Sequence, residues 1–165
     1  MKRITALTLA LLALGANAFA GQKVTLNKEV EKALFVAMED ELRAQAYYGA
    51  LQLKFGQQHP FSNPQRAEGQ HASMLLNVMQ RYGVEAPKDT FACKNRELIT
   101  EWTARLGVPK TVALAGKLAY KLEVENVEMY DKFLKLEMPQ DVRQVFLNVR
   151  RASEQNHMRA LSRFK

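Results

Sequence analysis

The sequence predicts an all-α fold, a four-helix bundle built from two helical hairpins with one long crossover between them. Three observations carry this. Four long stretches place apolar residues at steps of three, four or seven. Strand signals are missing, with no sustained alternation and no Asn-Gly or Asp-Gly turn. A long connection, residues 83–110, separates the second stretch from the third, as in bundles with a crossover.

The first helix is expected from about Asn27 to Phe55. Leu34, Met38, Ala44, Tyr48, Leu51 and Phe55 share its stripe, and Gly56 ends it. In the loop QQHPFSNP, Ser62 or Asn63 is placed to cap the second helix, with Pro64 in its first turn, where a missing N–H costs nothing. That helix carries Met74, Leu75, Val78, Met79 and Tyr82 and stops at Gly83. The connection holds a short helix from about Arg96 to Leu106, capped by Asn95. The third long helix starts near Pro109 or Thr111 and runs to about Leu136, where EMPQD interrupts. The fourth starts after Asp141 and continues nearly to Lys165. Met38, Met74, Met79, Met129 and Met158 fit core spacing better than a copper-binding run.

A chain of 165 residues, 47% hydrophobic and 25% charged, is long enough for one sizeable core and too short to suggest two. Its first twenty residues stand apart. Lys2 and Arg3 precede an apolar run from Ile4 to Leu14, followed by Ala18, Phe19 and Ala20 in an A-x-A pattern. That order is a secretory signal peptide, residues 1–20, leaving 21–165 as the bundle domain and placing the product in the periplasm or outside the cell. The run is about half the ~20 residues needed to span a bilayer, so no membrane span is expected after cleavage.

The net charge of +7 makes no nucleic-acid case, because export removes that target and no aromatic-basic motif accompanies it. The basic residues at 150, 151, 159, 163 and 165 read as a solvated helix face. The single cysteine, Cys93, excludes an internal disulfide framework and a thiolate metal cluster. It reads as a small loop residue, with pairing to another chain as the alternative.

Two hairpins invite a search for a repeat, and the halves align. Laying Tyr48 over Tyr130 also lays Glu41 over Glu123, each seven residues before its tyrosine. Downstream, EGQHASML and EQNHMRAL share E-x-x-H-x-x-x-L, so Glu68, His71 and Leu75 match Glu154, His157 and Leu161. Residues three apart on a helix share a face, so each Glu/His pair can reach a common centre. Four carboxylates neutralise two divalent ions; without metal, several buried charges would each cost several kcal/mol, roughly, if left unpaired. Oxygen-rich donors with some imidazole suit iron or manganese, and the lack of thiolate argues against structural zinc or thiolate copper.

Local neighbours indicate which glutamates face inward. Glu39 has Arg43 one turn on and Glu125 has Lys121 one turn back, as solvated ion pairs would. Glu41, Glu68 and Glu123 lack such a cation. Glu154 does not, because Arg150 and Arg151 lie one turn behind it; its assignment rests on His157 and the repeat.

The segments AMEDELRAQAYYGAL, PFSNPQRAEGQHASMLLNVMQRYG, EVENVEMYDKFL and VFLNVRRASEQNHMRAL resemble the ferritin-like superfamily of di-iron carboxylate bundles, and in wording are similar to a bacterial ferritin-like domain family of uncharacterised function. The resemblance spans about residues 27–164. It implies Glu41, Glu68, His71, Glu123, Glu154 and His157 as ligands of a binuclear iron site, with Glu68 and Glu154 bridging and manganese or zinc as alternative metals. Bacterioferritins oxidise and store iron, and rubrerythrins reduce peroxide. This chain lacks the paired Cys-x-x-Cys domain of a rubrerythrin, so a peroxidase of that kind would need an external electron donor.

Three functions stay open: an oxidoreductase in which two Fe(II) react with O2 or peroxide, a metal-binding protein of the cell envelope without turnover, and a structural module whose polar residues are hydrated. The chain could pair as a homodimer. Tyr48 and Tyr130, about 10 Å along the axis from the outer ligands, read as packed residues with bonded hydroxyls, with electron gating as the alternative. Asn126, one turn from Glu123, could orient a ligand imidazole or serve a helix contact. His59, in a loop before Pro60, reads as a surface residue.

Overall fold

The structure is a computed structural model that describes residues 25–56, 59–92 and 96–165, without the side chains of 96–99 and 102. The expected signal peptide, Cys93 and the Asn95 cap lie outside the described residues. Within them the protein is all-helical. The long helices are α1 (Lys28–Phe55), α2 (Ser62–Tyr82) and α4 (Val112–Phe133), with α3 (Arg96–Leu106) in the crossover. A final helical run comprises α5 (Gln140–Ala152), a π-turn at Ser153–His157, one α-turn, α6 (Met158–Leu161), and a 3₁₀ turn at Ser162–Phe164.

The ends follow local chemistry. Asn27 caps α1, its Oδ1 accepting from the Val30 N–H at 2.8 Å, and Thr111 caps α4 by accepting from Leu114 at 3.2 Å. Gly56 (φ 79°) and Gly83 (φ 67°) end α1 and α2 in the positive-φ region open to glycine. The α2 start differs from expectation. Ser62 is already helical, and the cap position is Phe61, which has no side-chain cap bond and is anchored by full burial instead. Helix α4 ends at Phe133, three residues early, because Arg143 reaches back to the carbonyls of Leu134 and Leu136 at 2.8 and 2.9 Å and satisfies them outside a helix. The fourth helix is not continuous, since the π-turn interrupts it.

Two apolar cores form. Val30, Leu34, Leu75, Val78, Tyr130 and Phe146 belong to the first, and Tyr48, Leu51, Phe61, Ala115, Ala119 and Leu161 to the second. Helix α1 and the final run pass from the first core to the second, whereas α2 and α4 pass the opposite way. On α1, α2, α4 and the final run, Glu41, Glu68, His71, Glu123 and His157 fall where the two cores meet, so these five occupy one polar layer inside the helix assembly.

At the end of the second core, Gly116 is buried on α4, and a Cβ there would lie 2.4 Å from the Phe164 ring. Gly116→Ala is therefore expected to lower stability by about 1–3 kcal/mol through overpacking, read as the urea midpoint. In a Phe164→Ala background the same change should stabilise, because helix propensity, worth about 1 kcal/mol, is then all that remains.

Candidate metal centre

Helix α1 delivers Glu41, α2 delivers Glu68 and His71, α4 delivers Glu123 and the π-turn delivers His157, all buried. They form a chain of contacts centred on Glu68. One Glu68 oxygen lies 2.8 Å from His71 Nδ1 and the other lies 3.1 Å from His157 Nδ1. At the outer ends, Glu41 lies 3.0 Å from His71 Nδ1 and Glu123 lies 3.2 Å from His157 Nδ1. The two imidazoles stack with ring centroids 5.7 Å apart. Two groups result, Glu41–Glu68–His71 and Glu68–Glu123–His157, each offering donor atoms within 4.8 Å of one another.

A second set of side chains braces the carboxylates across the halves. Tyr130 on α4 donates its hydroxyl to Glu41 on α1 at 2.8 Å, and Tyr48 on α1 donates to Glu123 on α4. The repeat that pairs these tyrosines in sequence thus pairs their roles in space. Asn126 donates to Glu41 at 3.2 Å and to Asp40 at 2.9 Å, and accepts from the Ser153 hydroxyl at 2.9 Å. It orients a carboxylate, not an imidazole. Asp40 and Ser153 carry no sequence signal of this role; each merely precedes a candidate glutamate, and nothing in its spacing marks it.

Burial opposes charge on the imidazoles, yet hydrogen bonds and charges from the carboxylates outweigh it. Glu41 and Glu68 hold His71 up at about 9, and Glu123 and Glu68 hold His157 up at about 10. Full burial and the neighbouring Glu68 push Glu41 up to about 7. Glu68 is buried too, but its hydrogen bonds to His157 and His71 hold it below the usual carboxylate range. Burial, reinforced by the adjoining carboxylates, raises Tyr48 and Tyr130 well above the ordinary phenol value, so both remain donors.

Glu154 is placed elsewhere. Its side chain is 46% exposed and accepts from Arg150 Nη1 at 2.8 Å, while Arg150 also holds Asp131. The cause is the π-turn. On the regular α2 the Glu68–His71 spacing puts both residues on one face. In Ser153–His157 the wider i→i+5 bonding rotates positions three apart away from each other. His157 stays inside, and Glu154 turns out towards the cation one turn behind it. The other charged pairs of α1 also rearrange, since Arg43 binds Asp40, not Glu39. Lys121 and Glu125 do pair, at 3.7 Å, and His59 is exposed.

The five buried donors fit a metal site by their chemistry. They are carboxylate oxygens and imidazole nitrogens converging on two points, with no thiolate among the described residues, a set that suits iron, manganese or zinc.

Comparison with known proteins adds the fold and a family. The family model described as Uncharacterized protein domain (DUF2202) matches residues 29–164. The crystal structure of a hypothetical protein from Methanococcus jannaschii DSM 2661 superposes with a TM-score of 0.73 at 21% identity, covering 86% of this chain and 82% of that one. No curated protein matches.

Proposed function

The chain belongs to the DUF2202 family, whose description states no activity, and we propose from its buried cluster that it is an exported ferritin-like four-helix bundle binding two iron ions and oxidising Fe(II) with O2 or peroxide. The observation that carries this is Glu68, which presents one oxygen to each histidine and so belongs to both donor groups. Glu41 and His71 complete one group, and Glu123 and His157 the other. Paired iron ions with open positions would supply the electrons that O2 or peroxide accepts. The chain's own part is to fix the donors: Tyr130 and Asn126 hold Glu41, and Tyr48 holds Glu123. Glu154 joins the set only by giving up Arg150. Export rests on residues 1–20, and an external electron donor is required for any multiple-turnover peroxidase activity. No described helix is long and apolar enough to cross a membrane.

One observation favours a second reading, a metal-binding protein of the cell envelope without turnover. Both outer carboxylates are already pinned by tyrosine hydroxyls, which opposes the carboxylate movement that accompanies a change of iron charge. Anaerobic Fe(II) titration followed by air separates the two. The first reading expects two irons per chain and rapid oxygen consumption. Stable binding without oxidation gives the second, and no binding removes both.

A further inference from the structure

Beside the cluster, between α1 and α4, lies a cavity of about 490 Å³. Small-molecule sites span roughly 300–1,000 Å³, and neither O2 nor peroxide needs such a volume. Its walls are largely apolar, from Val36, Leu118, Leu122 and Met129, and it reaches Glu68 and Glu123 of the candidate centre. Tyr47 lines it as well. That residue is 5% exposed, and its hydroxyl is the one buried side-chain polar atom among the described residues that has no hydrogen-bond partner. A buried hydroxyl is normally bonded; this one is closed off even from the cavity that Tyr47 lines, so a ligand there reaches it as the side chain shifts.

Charge narrows the ligand class. The Arg43 cation at this cavity is engaged by Asp40, and Glu125 on the same wall by Lys121 at 3.7 Å. Glu68 and Glu123 face the imidazoles and, in the metal-bound form, the metals. Neither an anion nor a cation therefore meets an uncompensated partner.

We propose that this cavity binds a small neutral organic molecule, apolar over most of its surface, whose single hydroxyl or carbonyl pairs with Tyr47, and holds it against the Glu68–Glu123 side of the cluster. Its position beside a reactive centre rests on the metal-binding reading; the cavity and its unpaired hydroxyl do not.

The probes are 4-methylphenol, toluene and 4-methylbenzoate, titrated calorimetrically into the full chain, both metal-free and zinc-loaded so that no turnover intrudes. The expected order is 4-methylphenol binding about tenfold tighter than toluene, with no binding of the benzoate. Tyr47→Phe should reduce 4-methylphenol to the toluene level while toluene is unchanged. Leu122→Trp should abolish binding of both by filling the space, with Val36→Trp at the cavity rim as the alternative if Leu122→Trp loses its cooperative melt. Retention of the phenol preference in Tyr47→Phe, binding that survives the filled cavity, or no binding of any probe overturns the proposal. Zinc measured in the same samples keeps the two readings apart. A chain that takes up no zinc but binds 4-methylphenol through Tyr47 loses the metal reading and keeps the cavity.

Discussion

Glu68→Ala is expected to remove both metal ions, whereas Glu41→Ala or Glu123→Ala removes one. Glu68 is the only carboxylate common to the two donor groups, so its loss leaves each group with a single glutamate and a histidine. Glu41 and Glu123 each serve one group, and their loss leaves the other intact. Loss of a residue that merely orients a ligand typically costs about 10–100-fold in affinity, the range expected at one of the two sites for Tyr130→Phe or Tyr48→Phe. Glu68→Ala should exceed that range at both. The measurement is metal per chain after equilibrium dialysis, with the helical circular dichroism spectrum showing that the variants fold. If Glu68→Ala and Glu41→Ala each retain one ion, Glu68 is not shared and the two-metal arrangement is wrong.

The repeat makes most of this layer legible. Glu41 and Glu123 lack local cations, Glu68 and His71 lie on an apolar stripe, and all of these residues are buried. Helix ends are legible wherever one residue determines them, as at Asn27, Gly56, Gly83 and Thr111. Phe61 is not, because its anchor is burial in the second core, which depends on residues far away in the chain. The π-turn is also hidden, since SEQNH fits an α-helix as well. Its one visible sign is Arg150, four residues before Glu154, the cation to which Glu154 turns. Tyrosine hydroxyls reaching across the halves follow from the repeat only once the helix directions are known. The unpaired hydroxyl of Tyr47 has no sequence signal, because Tyr47 and Tyr48 adjoin and only the burial pattern of three helices tells them apart.

Opposite pH dependences are expected for the metal-free and metal-bound chains. In the metal-free form, His71 at about 9 and His157 at about 10 are raised above the unfolded value of 6.5. Each contributes stability that is fully present below 6.5 and is lost as pH rises through its folded value. Glu41, raised from 4.5 to about 7, acts in the same direction across a lower window, its contribution being lost between those values. A tenfold difference in proton affinity between the folded and unfolded chains corresponds to about 1.4 kcal/mol, so stability should fall by a few kcal/mol, as an order of magnitude, between pH 6.5 and 10. Metal binding reverses the sign, because a ligand imidazole must be neutral and a ligand carboxylate ionised, so protons compete with metal and release it as pH falls. A ligand present at about 1,000 times its Kd stabilises by about 4.1 kcal/mol. For a chain of this size that raises Tm by roughly 8–16 °C, and the increment should grow with pH through the window in which the metal-free chain weakens. Thermal melts at pH 6.5, 8 and 9, with zinc in excess and with chelator, test this. A metal increment that shrinks as pH rises would place the ion somewhere other than at these histidines.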